Sequence, residues 1–307
     1  MVKYKKYRGV VVPMVTPFTK DGGIDLAAAE RIVEHIVASG ASLFALGTTG
    51  EGNSISFSAK AQLIETVVKK NAARTETYAG ISDNCLATSV EMAKQFFDLG
   101  VDVVVAHVPS YYPLTSDDIL SYYEDLAGGV PGPLMLYNIP ITTGVSIPLE
   151  VIDQLSRLPT IIGLKDSARD GDRLKQAVDT WKDREDFSYL VGCTSLSTAA
   201  LARGADGIVT SVGNIAPGLF CKLYNAVLDG NLDEAERCQR CANDIGDVFQ
   251  KDRILSQALP TLKAIMHVLG FCEPKVLPPL RELTAEQIQT LREAVNDMQL
   301  LQEGHPL

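Results

Sequence analysis

Eight short β-branched runs, each followed by a segment with apolar residues at helical spacing, predict an α/β protein built as one closed (β/α)8 barrel. The runs are continuously apolar, as strands buried on both faces of a parallel sheet must be. Eight such units over about 230 residues match the size of a TIM barrel. An open, doubly wound sheet is the alternative, and it calls for a glycine-rich phosphate turn after the first strand. The first run leads instead into Pro13-Met14-Val15-Thr16-Pro17-Phe18, where two prolines argue against a helix start built from free N–H groups.

In order, the strands read Gly9–Val15, Ser42–Leu46, Thr77–Ala79, Asp102–Ala106, Leu134–Leu136, Ile161–Leu164, Tyr189–Val191 and Gly207–Val209. The helices between and after them read Leu26–Ser39, Ala59–Asn71, Ala87–Leu99, Asp117–Ala127, Pro148–Ser156, Asp170–Trp181, Leu196–Arg203 and Pro217–Leu228. Several end beside glycine, at Gly40, Gly100, Gly204 and Gly230, which suits a left-handed cap. Residues 1–230 are therefore expected to form the barrel. Residues 231–307 carry three more helical segments, Leu232–Gln250, Ile254–Leu269 and Thr284–Leu301, and are expected to be a helical extension of the same domain. Pro260 should kink the middle one or mark its start.

The 307 residues carry 28 basic and 38 acidic side chains, a net charge of −10. That excess leaves no electrostatic footprint for nucleic acid or an anionic membrane, so any anionic substrate must be met by local chemistry. No stretch approaches a membrane span, and Met1 to Arg8 lacks the apolar core of a signal peptide, so a cytoplasmic protein is expected. Cys238 and Cys241 form a C-x-x-C inside an expected helix with no second pair nearby, which reads as helix surface. The four histidines are scattered and show no ligand spacing, so no metal is expected.

In a barrel of this kind the chemistry sits at the C-terminal ends of the strands. Strand six ends in Gly163-Leu164-Lys165-Asp166-Ser167. A lysine there is either a desolvated amine nucleophile or a rim side chain paired with Asp166. Strand five continues as Tyr137-Asn138-Ile139-Pro140, and the Tyr137 phenol could relay protons to a carbinolamine on Lys165 or simply cap backbone. Gly47-Thr48-Thr49-Gly50-Glu51 after strand two could hold a carboxylate through hydroxyls and N–H groups, although Thr and Gly are also ordinary turn residues. Strand four leads into Pro109-Ser110-Tyr111-Tyr112-Pro113, a surface aromatic pair or a subunit contact.

Together these four strand ends, with Gly144 and Gly207-Ile208-Val209-Thr210-Ser211-Val212-Gly213-Asn214, resemble the dihydrodipicolinate synthase and N-acetylneuraminate lyase family of class I aldolases from Gly9 to about Leu301. The resemblance implies that Lys165 forms an imine with pyruvate or another 2-oxo acid, with no cofactor. Tyr137 would shuttle protons, linked through Thr48 to Tyr111 of a neighbouring subunit. Thr48 and Thr49 would hold the 2-oxo acid carboxylate, with Gly47 and Val209 beside it. A homotetramer, a dimer of tight dimers, is the expected assembly.

The chain departs from both name-giving members. Dihydrodipicolinate synthases carry an arginine for the aldehyde's carboxylate after the motif of Tyr137; here Thr142 stands at that place. Sialic acid lyases carry an acidic pair after strand seven; here Cys193-Thr194-Ser195 is neutral. Thr142, Thr143, Thr194, Ser195 and Ser211 are therefore expected to form a neutral, hydroxyl-bearing pocket. The expected reaction is reversible cleavage of a 2-oxo-3-deoxy sugar acid, or a related 4-hydroxy-2-oxo acid, to pyruvate and an aldehyde. The alternatives are 4-hydroxy-tetrahydrodipicolinate synthase, N-acetylneuraminate lyase, a Schiff-base dehydratase of the same family, or a 2-oxo acid binding protein without turnover.

Overall fold

Alternating faces along eight short strands build two cores. A computed structural model describes residues 5–297, with strands β1 Gly9–Pro13, β2 Ser42–Ala45, β3 Thr77–Gly80, β4 Val103–His107, β5 Leu134–Asn138, β6 Ile161–Asp166, β7 Ser188–Val191 and β8 Gly207–Val209. All pair in parallel in chain order, and β8 returns to β1 to close the barrel. Because neighbouring side chains on a strand point to opposite faces, Val10, Leu43, Val104, Leu136 and Ile208 join the outer core under the helices. Their neighbours Val11, Phe44, Val105, Tyr137 and Val209 fill the barrel interior.

The helices start where short polar side chains can satisfy their first N–H groups. Asp25 accepts from Ala28 N at 2.9 Å, Thr115 and Asp118 form a reciprocal box ahead of Ser116–Gly129, and Asp170 caps Gly171–Trp181. Each buries one apolar stripe, such as Ile32, Val33 and Ile36 of Leu26–Val37.

Helix Leu232–Gln250 packs along Pro217–Leu228, and Leu255–Val268 and Ala285–Asp297 pack against each other. Three sequence expectations change here. Pro260 does not mark a helix start, since the helix begins at Leu255 and carries the proline in its second turn. Cys238 is buried on the inner stripe of its helix, while Cys241 is exposed, so only one of the pair lies on the surface. An unforeseen turn of helix, Pro140–Thr143, follows β5. The expected end of the last helix at Leu301 lies outside the described residues. Among those residues no helix is long and apolar enough to cross a membrane.

Candidate active site

Strand parity decides what Lys165 does. β6 ends Leu164-Lys165-Asp166, and the structure turns Lys165 into the barrel and Asp166 away from it. Asp166 is held outside by Arg173 Nε at 2.7 Å, by Asn138 Nδ2 at 2.8 Å and by its own loop through Ala168 N at 3.0 Å. The rim pairing of Lys165 with Asp166 is thereby excluded. Asn138 and Asp166 lock the ends of β5 and β6 to each other, and their inward neighbours Tyr137 and Lys165 face each other in register.

Lys165 is 4% exposed, and its Nζ lies 3.7 Å from the centre of the Tyr137 ring and 4.7 Å from that of Phe44. The π faces attract a cation, but burial dominates and holds the ammonium below its ordinary range, with Tyr137 opposing the shift. An amine whose charged form is disfavoured is a better nucleophile at neutral pH.

The register carries a third group to the same level. His107 at the end of β4 pairs with Tyr137, which pairs with Lys165, so an imidazole, a phenol and an amine sit on three adjacent strands. The His107 and Tyr137 rings are 6.2 Å apart, edge to face. Sequence reasoning passed over His107 because it tested histidines for metal spacing. Reading parity back from Lys165 across the strand ends would have found it.

After β2 the chain makes a tight loop in which Leu46 takes φ of 58° and Glu51 φ of 56°. The space for it comes from glycines: a Cβ on Gly80 would lie 2.3 Å from Leu46 O, and one on Gly52 only 2.1 Å away. Gly50 N and Gly52 N donate to Gly47 O, and Glu51 N donates to Thr48 O. Among the described residues the amides of Thr48 and Thr49 have no acceptor, so two N–H groups and two hydroxyls remain for an anion. Thr48 Oγ1 lies 3.4 Å from the Tyr137 hydroxyl.

Glu51 is the hinge between this loop and the C-terminal helices. Its Oε1 is 2.8 Å from Lys263 Nζ and its Oε2 accepts from Leu277 N at 2.9 Å. Lys263 also donates to Thr16 O and Lys275 O. No sequence signal joins Glu51 to Lys263, since 212 positions separate them.

A cavity of about 320 Å³ opens on this constellation, with Phe44, Gly47, Thr48, Tyr137 and Thr142 in its wall. Its remaining polar groups come from Asn53, Ser54, Ser82 and His107, and Leu259, Pro279 and Leu280 of the C-terminal segment close it. Among the described residues Glu51 is the single charged side chain of the lining, and it is already paired.

Of the expected hydroxyl pocket, only Thr142 reaches this cavity. Thr143 turns back to donate to Val145 O at 2.9 Å, Thr194 bonds Thr210 at 3.0 Å, Ser195 lies 3.4 Å from Cys193 Sγ, and Ser211 accepts from Gln250 Nε2 at 3.3 Å. These four do not line the cavity, whose polar wall comes from the ends of β2, β3 and β4 together with Thr142 after β5, which itself donates to Ile139 O at 3.2 Å. Thr49 is half-buried beside Thr48, and Val209 sits in the interior with Phe44 and Tyr137. Tyr111, on the loop after β4, is 75% exposed and stacks edge-on against Tyr112 at 5.0 Å. Within one chain it does not extend the Tyr137–Thr48 pair. No group of metal-ligating side chains occurs among the described residues.

Comparison with known proteins agrees with the geometry. A family model described as the dihydrodipicolinate synthetase family matches residues 6–298. The 4-hydroxy-tetrahydrodipicolinate synthase of Oceanobacillus iheyensis is 30% identical over 292 residues, 94% of this chain and 97% of its own. The solved dihydrodipicolinate synthase of Bacteroides thetaiotaomicron superposes with a TM-score of 0.90 at 30% identity, over 96% of this chain and all of the other. That of Acinetobacter baumannii, solved with pyruvate, superposes with a TM-score of 0.87 at 28% identity, over 95% and 99% of the two chains. Eight strands closed in chain order, a buried lysine at the end of the sixth and a family match spanning nearly the whole sequence lead to one conclusion: the chain is a lyase of the dihydrodipicolinate synthetase family, whose enzymes work through a Schiff-base lysine and need no cofactor.

Proposed function

We propose that Lys165 attacks the ketone of pyruvate and that the chain reversibly cleaves a 2-oxo-3-deoxy sugar acid, or a related 4-hydroxy-2-oxo acid, to pyruvate and an uncharged aldehyde. The observation that carries this reading is that, among the described residues, no cationic side chain lines the cavity beside Lys165. An aldehyde bearing its own carboxylate would have to bury it there unpaired, which is strongly unfavourable. Hydroxyl-bearing aldehydes meet neutral donors and acceptors instead.

In this reading the Lys165 amine adds to the carbonyl carbon, and Tyr137 protonates the carbinolamine oxygen as it leaves as water. The Thr48 and Thr49 amides and hydroxyls hold the carboxylate. The resulting iminium withdraws the electron pair of the C3–C4 bond as the C4 hydroxyl gives its proton to the Tyr137 phenolate and becomes the aldehyde, and the enamine left on Lys165 is then protonated at C3 and hydrolysed to pyruvate and the free amine. Tyr111 would enter the site of a partner subunit in a dimer of dimers, completing the relay through Thr48. The names of the relatives favour a second reading, condensation of pyruvate with aspartate semialdehyde.

The test has two stages. Incubation with pyruvate and borohydride, followed by intact mass, should give one adduct that Lys165→Ala abolishes; no adduct, or an adduct in the variant, overturns the mechanism. Assays with pyruvate and either aspartate semialdehyde or hydroxyaldehydes then order the substrates. Efficient turnover of aspartate semialdehyde makes the second reading the correct one.

A further inference from the structure

The alternation that places Lys165 inside the barrel is not inherited from the start of its strand. β5 pairs with β6 as Leu134 with Ile161 and then Met135 with Gly163, so Ile162 is one residue more than β5 can match. Ile161 packs in the outer core and Ile162 against the inner one, and strict alternation from there puts Leu164 inside and Lys165 outside. The structure has the reverse: Leu164 is in the outer core, and Lys165 Nζ lies over the Tyr137 ring in the interior. The bulge at Ile162 therefore exchanges the two faces for every residue after it. It sits where only glycine fits, since a Cβ on Gly163 would lie 2.4 Å from Ser188 O of β7.

Because Lys165 and Asp166 are adjacent, a slip of one place beyond the bulge takes the amine out of the barrel and puts a carboxylate in. The ladder that resists this is short, from Gly163 to Asp166. Outside it, Asp166 Oδ2 accepts from Arg173 Nε at 2.7 Å and Oδ1 from Asn138 Nδ2 at 2.8 Å, while Asn138 Oδ1 accepts from Ile147 N at 3.0 Å. Arg173 stands in the first turn of helix Gly171–Trp181, where Asp170 accepts from its N–H at 3.0 Å. β5, β6 and the helix after β6 are thus tied at one point directly behind Lys165. Stability alone does not explain the tie. The Arg173 side chain is 12% exposed and no described residue accepts from its buried Nη2, and a buried ion pair is a weak source of stability but a good keeper of register. Nor is charge its route, since burial and Tyr137 set the Lys165 ammonium.

Resting on the reading of Tyr137 as proton donor to the Lys165 carbinolamine, we propose that Arg173 and Asp166 are positioning residues. Their ion pair on the outer face of the sheet holds β6 in its bulged register and so keeps Lys165 opposite Tyr137. A strand end free to shift toward the other register spends less time with amine and phenol aligned. Dehydration of the carbinolamine then slows, while the cradle of Thr48 and Thr49 after β2 is unchanged.

The experiment uses pyruvate alone and follows the rate of adduct formation by borohydride quench and intact mass. Arg173→Met should lower the maximal rate by about 10- to 100-fold, the scale of a misplaced reacting group, and leave the pyruvate concentration for half-maximal rate near its wild-type value. Arg173→Lys, which can still pair with Asp166, should recover part of the loss. In a Tyr137→Phe background, adding Arg173→Met should slow the reaction by less than about threefold, because the proton donor whose placement the pair secures is gone.

An Arg173→Met enzyme that forms the adduct at the wild-type rate overturns the proposal. So does an equal loss in the two backgrounds, or a change confined to the half-maximal pyruvate concentration, the marks of a residue that supports only the fold or the cradle. Arg173→Met leaves a carboxylate buried beside the sheet. If it does not fold, Arg173→Met combined with Asp166→Asn removes both charges and supplies the same comparison. Failure of the reading of Tyr137 and Lys165 shows itself differently, as a wild-type enzyme that gives no pyruvate adduct or a Tyr137→Phe enzyme as fast as the wild type.

Discussion

Lys263→Met should unfold the protein more easily and loosen the carboxylate cradle at the same time. The Lys263 and Glu51 side chains are 1% and 2% exposed, and their charges are 2.8 Å apart. Removing the ammonium leaves the Glu51 carboxylate buried with one amide donor, Leu277 N, and takes a charged donor from Thr16 O and Lys275 O. Breaking one side of a buried pair costs about 3–5 kcal/mol. In a domain of this size that lowers the melting temperature by about 5–8 °C. Glu51→Gln should destabilise by a similar mechanism. The double variant should lose at least about 2 kcal/mol less than the sum of the two, because neither charge is then left alone. Urea denaturation followed by fluorescence of Trp181, the single tryptophan and fully buried, supplies the cycle. The KM for pyruvate should rise in Lys263→Met, since Glu51 ends the loop that carries Thr48 and Thr49. A loss under about 1 kcal/mol, or strict additivity in the double variant, would refute the claim that this pair holds the loop.

Four further outcomes follow from the same site. Acylation of Lys165 by an amine-selective reagent should rise with pH to a midpoint below the 10.5 of an ordinary lysine, since burial disfavours its charge; a midpoint at or above that value contradicts the desolvated site. In the window between the depressed folded value and 10.5 the unfolded chain binds the extra proton, so stability should rise with pH there, and Lys165→Met should remove that slope in denaturation curves. Tyr137→Phe should reduce kcat by about 10²–10⁴-fold while leaving the pyruvate adduct trappable over long incubation, as loss of a general acid–base group predicts; unchanged turnover would remove Tyr137 from the relay. Gly80→Ala should destabilise by about 1–3 kcal/mol, because the new methyl falls on Leu46 O at 2.3 Å, and a neutral effect would show that the loop after β2 is not held as tightly as described.

The barrel was legible because its signals are local and repeated. A strand buried on both faces needs an apolar run, and a covering helix needs an apolar stripe, so both leave their mark within a few residues. Lys165 and Tyr137 were legible for the opposite reason: polar groups at the ends of such runs interrupt the pattern. The polar wall was less legible because Thr, Ser and Asn look alike in sequence whether they face a cavity or their own backbone. Thr143 and Ser195 satisfy themselves locally, while Ser82 and His107 reach the cavity through the parity of β3 and β4, which depends on where each strand ends. Asn53 and Ser54 follow the left-handed turn at Glu51, whose conformation only the packing against Gly52 and Gly80 reveals.

That turn also alters the meaning of the C-terminal helices. As a sequence they read as an extension added to a finished barrel, since eight strands already close on themselves. Yet a closed barrel supplies only one end of a substrate site, the end its strands point at. The far wall must come from something that folds back over the mouth. Here Leu259, Pro279 and Leu280 provide that wall, and Lys263, on the same helix as Leu259, provides the charge that fixes the cradle loop. Cradle and lid are therefore one mechanical unit joined through Glu51, and a change in the helix Leu255–Val268 alters substrate binding by two routes, the apolar roof and the buried ion pair. The segment after Leu255 carries no strand and no proposed catalytic side chain, yet it supplies the apolar roof of the cavity and the cation that pairs Glu51, which places it within the substrate site rather than beside it.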